Sequence, residues 1–107
     1  MSRTINPQEF KSILGSKDLT VIDVRRKEDY TADNSVIPGS TWFDPANIDN
    51  WCTTLPDNKE VVLYCVRGGG VSNSVVDTLQ AKGVKARFIE GGIAAWKDAG
   101  GEVIPKK

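Results

Sequence analysis

The chain has no histidine, and it contains two cysteines among its 107 residues. The absence of histidine excludes the Cys–His and Ser–His pairs that activate many nucleophiles, so any nucleophile here needs other activating groups. Two cysteines without histidine also cannot complete the four-ligand set of a common structural zinc site. We therefore expect neither a bound metal nor a cofactor in this protein.

An excess of charge is also absent, because fourteen basic residues balance fourteen acidic ones. This balance argues against a nucleic-acid partner and offers no basic face to a membrane. No apolar run resembles the core of a signal peptide or is long enough to span a bilayer. We expect a cytoplasmic protein with reduced thiols rather than a disulfide. Its length and its apolar fraction of 39% predict a single globular domain over residues 1–107.

Short apolar segments alternate with helical patterns along the chain. Residues 19–24 and 61–64 are almost continuously apolar, which is typical of strands buried on both faces of a sheet. Residues 86–89 predict a further strand, and Val75 and Leu79 lie at helical spacing in the segment before it. Buried strands that alternate with helices predict an α/β fold with a parallel sheet.

The region between the first two buried strands combines a charged stretch with a helix-start signal. Residues 25–34 are charged and rich in turn formers, which predicts an irregular connection. Asp44 followed by Pro45 is a cap-and-proline signal for a helix start. Cys52 falls on the apolar face of the helix that would follow, so we expect a core residue rather than a reactive thiol.

A glycine-rich loop that begins with a cysteine follows the second buried strand. Cys65 stands at the carboxyl end of that strand, at the edge of a parallel sheet where ligands bind. Glycines let consecutive N–H groups turn inward as an anion-binding nest, and the next helix adds the positive end of its dipole. These groups favour a thiolate, so Cys65 is expected to be nucleophilic. The loop residues expected to bind substrate are Val66, Arg67, Gly68, Gly69, Gly70 and Val71.

Other roles for these residues stay open on the sequence alone. A free cysteine at the end of an apolar strand can serve as a small core hydrophobe, although packing does not require the glycines after it. Arg67 can attract an anionic donor or lie solvated in the loop. Asp23 and Arg25 flank the end of the first buried strand, near the expected position of Cys65. We predict that they form a salt bridge supporting the loop rather than a catalytic pair.

Four segments of the chain, in order, resemble the rhodanese family. Residues 19–25 are similar to that family's LIDVR strand, and residues 36–40 to its HIPGA segment. Residues 62–68 resemble its active-site cysteine loop, and residues 89–96 its closing LEGGxxAW signature. The Val-Ile-Pro-Gly segment followed by Trp42 further resembles the single-domain rhodaneses associated with chromate-resistance loci.

The resemblance implies a three-layer α/β fold of about five mostly parallel strands flanked by helices. It also implies a sulfurtransferase in which the Cys65 thiolate takes the sulfane sulfur of a donor such as thiosulfate and releases sulfite. The resulting persulfide would pass its sulfur to cyanide or to a thiol, and a protein can be that acceptor. A non-turnover persulfide carrier or a protein-interaction module would use the same loop.

Two departures from the family pattern concern the substrate. Val36 replaces a common histidine, and Gly70 or Val71 stands where many rhodaneses have an arginine late in the loop. The missing arginine lowers the affinity expected for doubly charged thiosulfate. It also argues against the related phosphatases and arsenate reductases, because their Cys-x5-Arg loop requires an arginine at the position of Val71.

Overall fold

The computed structural model describes residues 3–16, 19–55, 60–67 and 69–106. Its strands are β1 (Thr4–Ile5), β2 (Leu19–Asp23), β3 (Ser35–Val36), β4 (Ser40–Trp42), β5 (Glu60–Tyr64), β6 (Ala86–Ile89) and β7 (Ile104–Pro105). Its α-helices are α1 (Pro7–Ile13), α2 (Lys27–Ala32), α3 (Ile48–Trp51), α4 (Gly70–Ala81) and α5 (Gly92–Asp98). Within the described ranges, no helix has both the length and the apolar character needed to cross a membrane.

Five parallel strands form the central sheet, in the order β1-β6-β5-β2-β4. The middle strand β5 pairs with β2 along its whole length, from Glu60 opposite Leu19 to Tyr64 opposite Asp23. Strand β6 lies on its other side. The predicted α/β fold of about five parallel strands flanked by helices is confirmed. The carboxyl end of β5 lies at the middle of one edge of this sheet.

Two apolar clusters cover the two faces of the sheet. Val61, Leu63 and Cys65 belong to the cluster that includes residues of α3 and α4, and we name this side the α4 face. Val62 and Tyr64 belong to the cluster that includes residues of α1 and α5, on the α5 face. The alternation follows from the two-residue period of an extended chain. It places the Cys65 side chain on the α4 face of the sheet.

A side-chain cap and a glycine mark the ends of two of the helices. Helix α1 begins at Pro7, and the side-chain oxygen of Asn6 accepts a hydrogen bond of 2.8 Å from the N–H of Glu9. This bond satisfies an N–H group that has no partner within the helix. After α4, Gly83 has a φ of +84°, the left-handed conformation in which glycine commonly ends a helix.

Two segments between β2 and β5 differ from the sequence-based expectation. Residues 25–34 were expected to be irregular, yet helix α2 occupies most of them, and the acidic side chains in its first turn are stabilised by the helix dipole. Asp44 does cap the next segment, through a 3.0 Å hydrogen bond from the N–H of Ala46. The single helix expected there is instead a 3₁₀ turn, the short helix α3 and a second 3₁₀ turn.

Candidate active site

Cys65 lies directly after β5, at the carboxyl edge of the central strand. It is a free cysteine with 7% of its surface exposed, and it shares the α4-face cluster with Val75 and Val76. Cys52, which is 4% exposed, belongs to the same cluster, and its thiol lies 3.8 Å from the carbonyl oxygen of Asp49. The prediction that Cys52 is a core residue is therefore confirmed.

The loop between β5 and α4 carries most of the residues expected to bind substrate. Val66 is half-buried, while Arg67, Gly69 and Gly70 are exposed. Gly68, which was also predicted to bind substrate, lies outside the described residues. In the part of the loop that is described, no backbone hydrogen bond uses the N–H of Arg67, Gly69 or Gly70. These donors are available to an anion bound at the loop.

Helix α4 adds further donors at the same place. Its N-cap residue, Gly69, offers no side-chain cap. The N–H groups of its first turn, at Gly70, Val71 and Ser72, have no acceptor within the helix, and they form the positive end of the helix dipole. Ser72 is completely buried, and its hydroxyl has no hydrogen-bond partner among the residues that the structure describes. Such a hydroxyl is unusual in a folded protein and is a further donor at the start of α4.

The side chain of Arg67 extends from the exposed part of the loop. Its guanidinium forms no ion pair or hydrogen bond with any residue that the structure describes. The structure therefore leaves its charge unpaired beside the loop, where it can interact with an anion or with water.

A cleft of about 490 Å³ borders the far end of the loop. Gly70 and Val71 form part of one wall, and Asp44 lies in another. Arg26 and Lys27, at the start of α2, also line the cleft. Cys65 is not one of its lining residues, so the cleft adjoins the cysteine loop rather than enclosing the thiol.

Comparison with known protein families shows to which of them this chain belongs. Residues 6–99 match the family model of the Rhodanese-like domain. The chain belongs to the rhodanese family. The resemblance found in the sequence is thereby confirmed at the level of the family.

Relatives of this rhodanese include two solved structures and one larger protein. A rhodanese-like domain protein from Staphylococcus aureus is 30% identical, with a TM-score of 0.80, and the match covers 100% of both chains. A rhodanese-related protein from Thermoplasma volcanium is 25% identical, with a TM-score of 0.83, and the match covers 95% of this chain and 97% of the other. A tRNA sulfurtransferase from Desulfurococcus amylolyticus is 38% identical over 90 residues, which are 84% of this chain and 17% of that protein.

In this rhodanese, Asp23 and Arg25 form the predicted salt bridge, completely buried at the end of β2. The guanidinium donates to both carboxylate oxygens of Asp23, with the shortest distance 2.7 Å. Burial opposes the charge, but the hydrogen bonds and charge of Asp23 outweigh that effect and raise the pKa of Arg25 above its ordinary value. Arg25 also donates to Asp33 and to the carbonyl oxygen of Ser35. Its side-chain hydrogen bonds therefore tie β2 to the segment after α2, and none reaches a described residue of the cysteine loop.

Tyr64, the residue before Cys65, lies on the α5 face and anchors the end of β5 through hydrogen bonds of its hydroxyl group. Its hydroxyl oxygen accepts a hydrogen bond of 3.3 Å from the N–H of Ile37 and lies 2.9 Å from the hydroxyl of Ser40. The phenol is completely buried, and burial raises the pKa of Tyr64 well above its ordinary range. It therefore stays neutral at physiological pH and holds the strand from which the cysteine loop starts.

Three residues near the loop were missed by sequence reasoning. Arg26 and Lys27 belong to a charged run that is common on solvated surfaces, so nothing in the sequence related them to Gly70. Ser72 was part of a family-like loop pattern, but its burial and its unpartnered hydroxyl depend on how α4 packs on the sheet. Among the described residues, no group of three or more acidic or cysteine side chains is placed to hold a metal ion.

Proposed function

We propose that this rhodanese is a sulfurtransferase that moves sulfane sulfur from a donor such as thiosulfate to a thiol or cyanide through a Cys65 persulfide. One observation carries the proposal. A free cysteine directly follows the central strand and lies on the same face of the sheet as α4, whose uncapped first turn follows the glycine loop. The name of the relative from Desulfurococcus amylolyticus, a tRNA sulfurtransferase, supports the same class of reaction.

The proposed reaction is two displacements at sulfur. In the first, the Cys65 thiolate attacks the outer sulfur of thiosulfate, a new S–S bond forms, and sulfite leaves with the electrons of the bond that breaks. In the second, cyanide or a thiolate attacks the outer sulfur of the persulfide, and the Cys65 thiolate leaves. Neither leaving group needs a proton, because sulfite and the stabilised thiolate depart as anions. This chemistry suits a chain without histidine.

Positioning and charge stabilisation would then supply the catalysis. The N–H groups of Gly69 and Gly70 are free of backbone partners in the described residues, and the first turn of α4 adds its dipole. The buried hydroxyl of Ser72 is a further donor on this side of the sheet. We propose that these groups stabilise the thiolate and the anionic persulfide, with Val66 and Val71 as apolar neighbours of the bound sulfur.

The absence of a late-loop arginine shapes the proposal for the donor. Val71 is half-buried and packs against the α4-face cluster, so no cation stands at that position. The absence of an arginine at residue 71 also disfavours a phosphatase or arsenate reductase, which would need an arginine there to hold a tetrahedral oxyanion. We propose that Arg67, at the exposed side of the loop, and Arg26, across the cleft, provide the positive charge that meets an anionic donor.

We expect Arg67→Ala to raise KM for thiosulfate by about two- to fivefold, with a smaller effect on kcat, because an exposed charge contributes up to about 1 kcal/mol. Initial rates measured against thiosulfate at low and high salt test this expectation. Lys82→Ala, beyond the far end of α4, is the matched control and should leave KM unchanged. Equal KM values for Arg67→Ala and wild type would assign Arg67 to a solvated loop position.

The proposal is tested directly by loading the protein with sulfur. Incubation with thiosulfate, followed by intact-mass spectrometry, should add the mass of one sulfur atom to the chain. Cyanide should then remove that atom and release thiocyanate, with the original mass restored. A chain that gains no sulfur from thiosulfate or from another sulfane donor would contradict the proposal.

The same measurements distinguish the alternatives that the sequence left open. A persulfide that forms but leaves slowly with cyanide and small thiols would indicate a carrier that transfers sulfur only to a protein partner. Hydrolysis of an aryl phosphate without sulfur uptake would indicate a phosphatase. Although the relative's name mentions tRNA, the balanced charge of this chain leads us to propose a small molecule or a protein, rather than a nucleic acid, as acceptor. A single domain, a cytoplasmic location and the chromate-locus resemblance stay predictions.

A further inference from the structure

We propose that Gly92 is a positioning residue for the cysteine loop, an inference that rests on the proposed sulfurtransferase function. Gly92 is the first residue of α5, and its φ is +64°, which favours glycine. A Cβ atom at this position would lie 2.6 Å from the carbonyl carbon and oxygen of Val66, and closer still to the carbonyl oxygen of Cys65. Any side chain at residue 92 would therefore push α5 and the loop apart.

The close approach brings two N–H groups of α5 to the loop. The N–H of Ile93 donates to the carbonyl oxygen of Cys65 at 2.9 Å, and the N–H of Ala94 donates to that of Val66 at 3.1 Å. First-turn N–H groups have no acceptor in their own helix, so these bonds satisfy both partners. Two consecutive carbonyl groups of the loop are thus held toward α5.

The direction of these carbonyls determines the direction of the next N–H groups. The described peptide bonds are trans, and in a planar trans peptide the C=O of one residue and the N–H of the next point in opposite directions. The N–H groups of Val66 and Arg67 therefore point away from the first turn of α5. Helix α5 packs on one face of the sheet, and Cys65 belongs to the cluster on the other. Both N–H groups are directed to the side of the thiol.

Two consecutive N–H groups on one side of the chain form a nest for an anion. In this rhodanese the anion is the Cys65 thiolate or the outer sulfur of its persulfide. Gly92 touches neither of them, because it acts through the carbonyls of Cys65 and Val66. A shift of α5 away from the loop would let these peptide planes rotate and would turn the donors away from sulfur.

The test compares Gly92→Ala with Gly91→Ala. Gly91 precedes α5 with a φ of +75°, and a Cβ atom there would lie 2.5 Å from the Cβ of Ala95, within α5 itself. Gly91→Ala therefore strains the same turn without touching the loop. The rate at which iodoacetamide alkylates Cys65 is followed by peptide mass spectrometry between about pH 6 and pH 9, with the rate of sulfur uptake from thiosulfate measured in parallel.

We expect Gly92→Ala to slow alkylation about tenfold near pH 7. At alkaline pH the alkylation rates of the variant and the wild type should become equal, because the thiol ionises there without help. Sulfur uptake should slow by a similar factor, whereas Gly91→Ala should follow wild type in both measurements. A loss of stability alone would not produce this pH dependence. Equal alkylation profiles for wild type and Gly92→Ala would overturn the inference.

The design separates this inference from the proposed function. A wild-type protein that takes up no sulfur, but whose alkylation depends on Gly92, would refute the sulfurtransferase and leave the positioning role standing. If Gly92→Ala does not fold, the amide protons of Val66 and Arg67 are followed by NMR in the wild type as the thiol ionises. Both resonances should move downfield, and resonances that stay in place would overturn the inference.

Discussion

Cys65→Ser is expected to abolish sulfur uptake and to lower turnover with thiosulfate and cyanide by about 10³-fold or more. A serine hydroxyl cannot form a persulfide, and it is a weak nucleophile without a neighbouring base such as histidine, which this chain lacks. The substitution is nearly isosteric, so the folded state should persist at a residue that is 7% exposed. Thiocyanate production and intact mass, measured on the same preparation, report transfer and loading.

Cys52→Ser is the matched control for this prediction. Cys52 lies in the same apolar cluster but belongs to the 3₁₀ turn after α3 and not to the cysteine loop. The Cys52→Ser protein should lose some stability and little activity, and its mass should still increase by one sulfur atom after incubation with thiosulfate. Turnover retained in Cys65→Ser would refute the proposed nucleophile. A large loss of activity in a folded Cys52→Ser would show that this residue is more than a core side chain.

Arg25→Leu is expected to lower the free energy of unfolding by about 3–5 kcal/mol. The change leaves the carboxylate of Asp23 completely buried without its cation, and it also removes the donors to Asp33 and Ser35. An unpaired buried charge costs far more than a lost surface ion pair. Urea denaturation followed by circular dichroism measures the loss.

The structure provides a matched control for the arginine prediction. Lys97 is a partly exposed partner of Asp33, at 2.9 Å, and Lys97→Ala should cost less than about 1 kcal/mol. Replacing Asp23 and Arg25 together by leucine should recover part of the stability lost in Arg25→Leu, because no charge then remains buried. A loss below about 1 kcal/mol in Arg25→Leu would mean that water reaches Asp23 and that the pair is not a buried one.

Much of the fold was predictable because the strands of a buried parallel sheet are nearly continuous apolar runs. The strands predicted over residues 61–64 and 86–89 are present as β5 and β6. Strands β1 and β7 were missed because two residues are too few to show a period. Helix α2 was missed because its apolar side is small, and the stacking of Tyr30 on Trp42, at 4.5 Å, is a tertiary contact.

The candidate site was predicted in part. Cys65 and its glycine loop were recognisable because a nucleophile at a strand end before a helix is a local pattern. The buried pair of Asp23 and Arg25 was also expected, but its attachment to residues 33–35 was not. The neighbours that complete the site come from other parts of the chain. Arg26 reaches the cleft from α2, and Gly92 reaches the loop from α5.

The sequence by itself determined the family, the buried central strands and the position of the cysteine loop, because these depend on local composition and spacing. The tertiary structure decided which groups surround the cysteine loop. The direction of the N–H groups of Val66 and Arg67 depends on hydrogen bonds to α5, and such long-range pairs form only when distant segments pack on the same sheet. The glycines of the loop permit more than one orientation of these peptide planes, so the local pattern alone does not specify it.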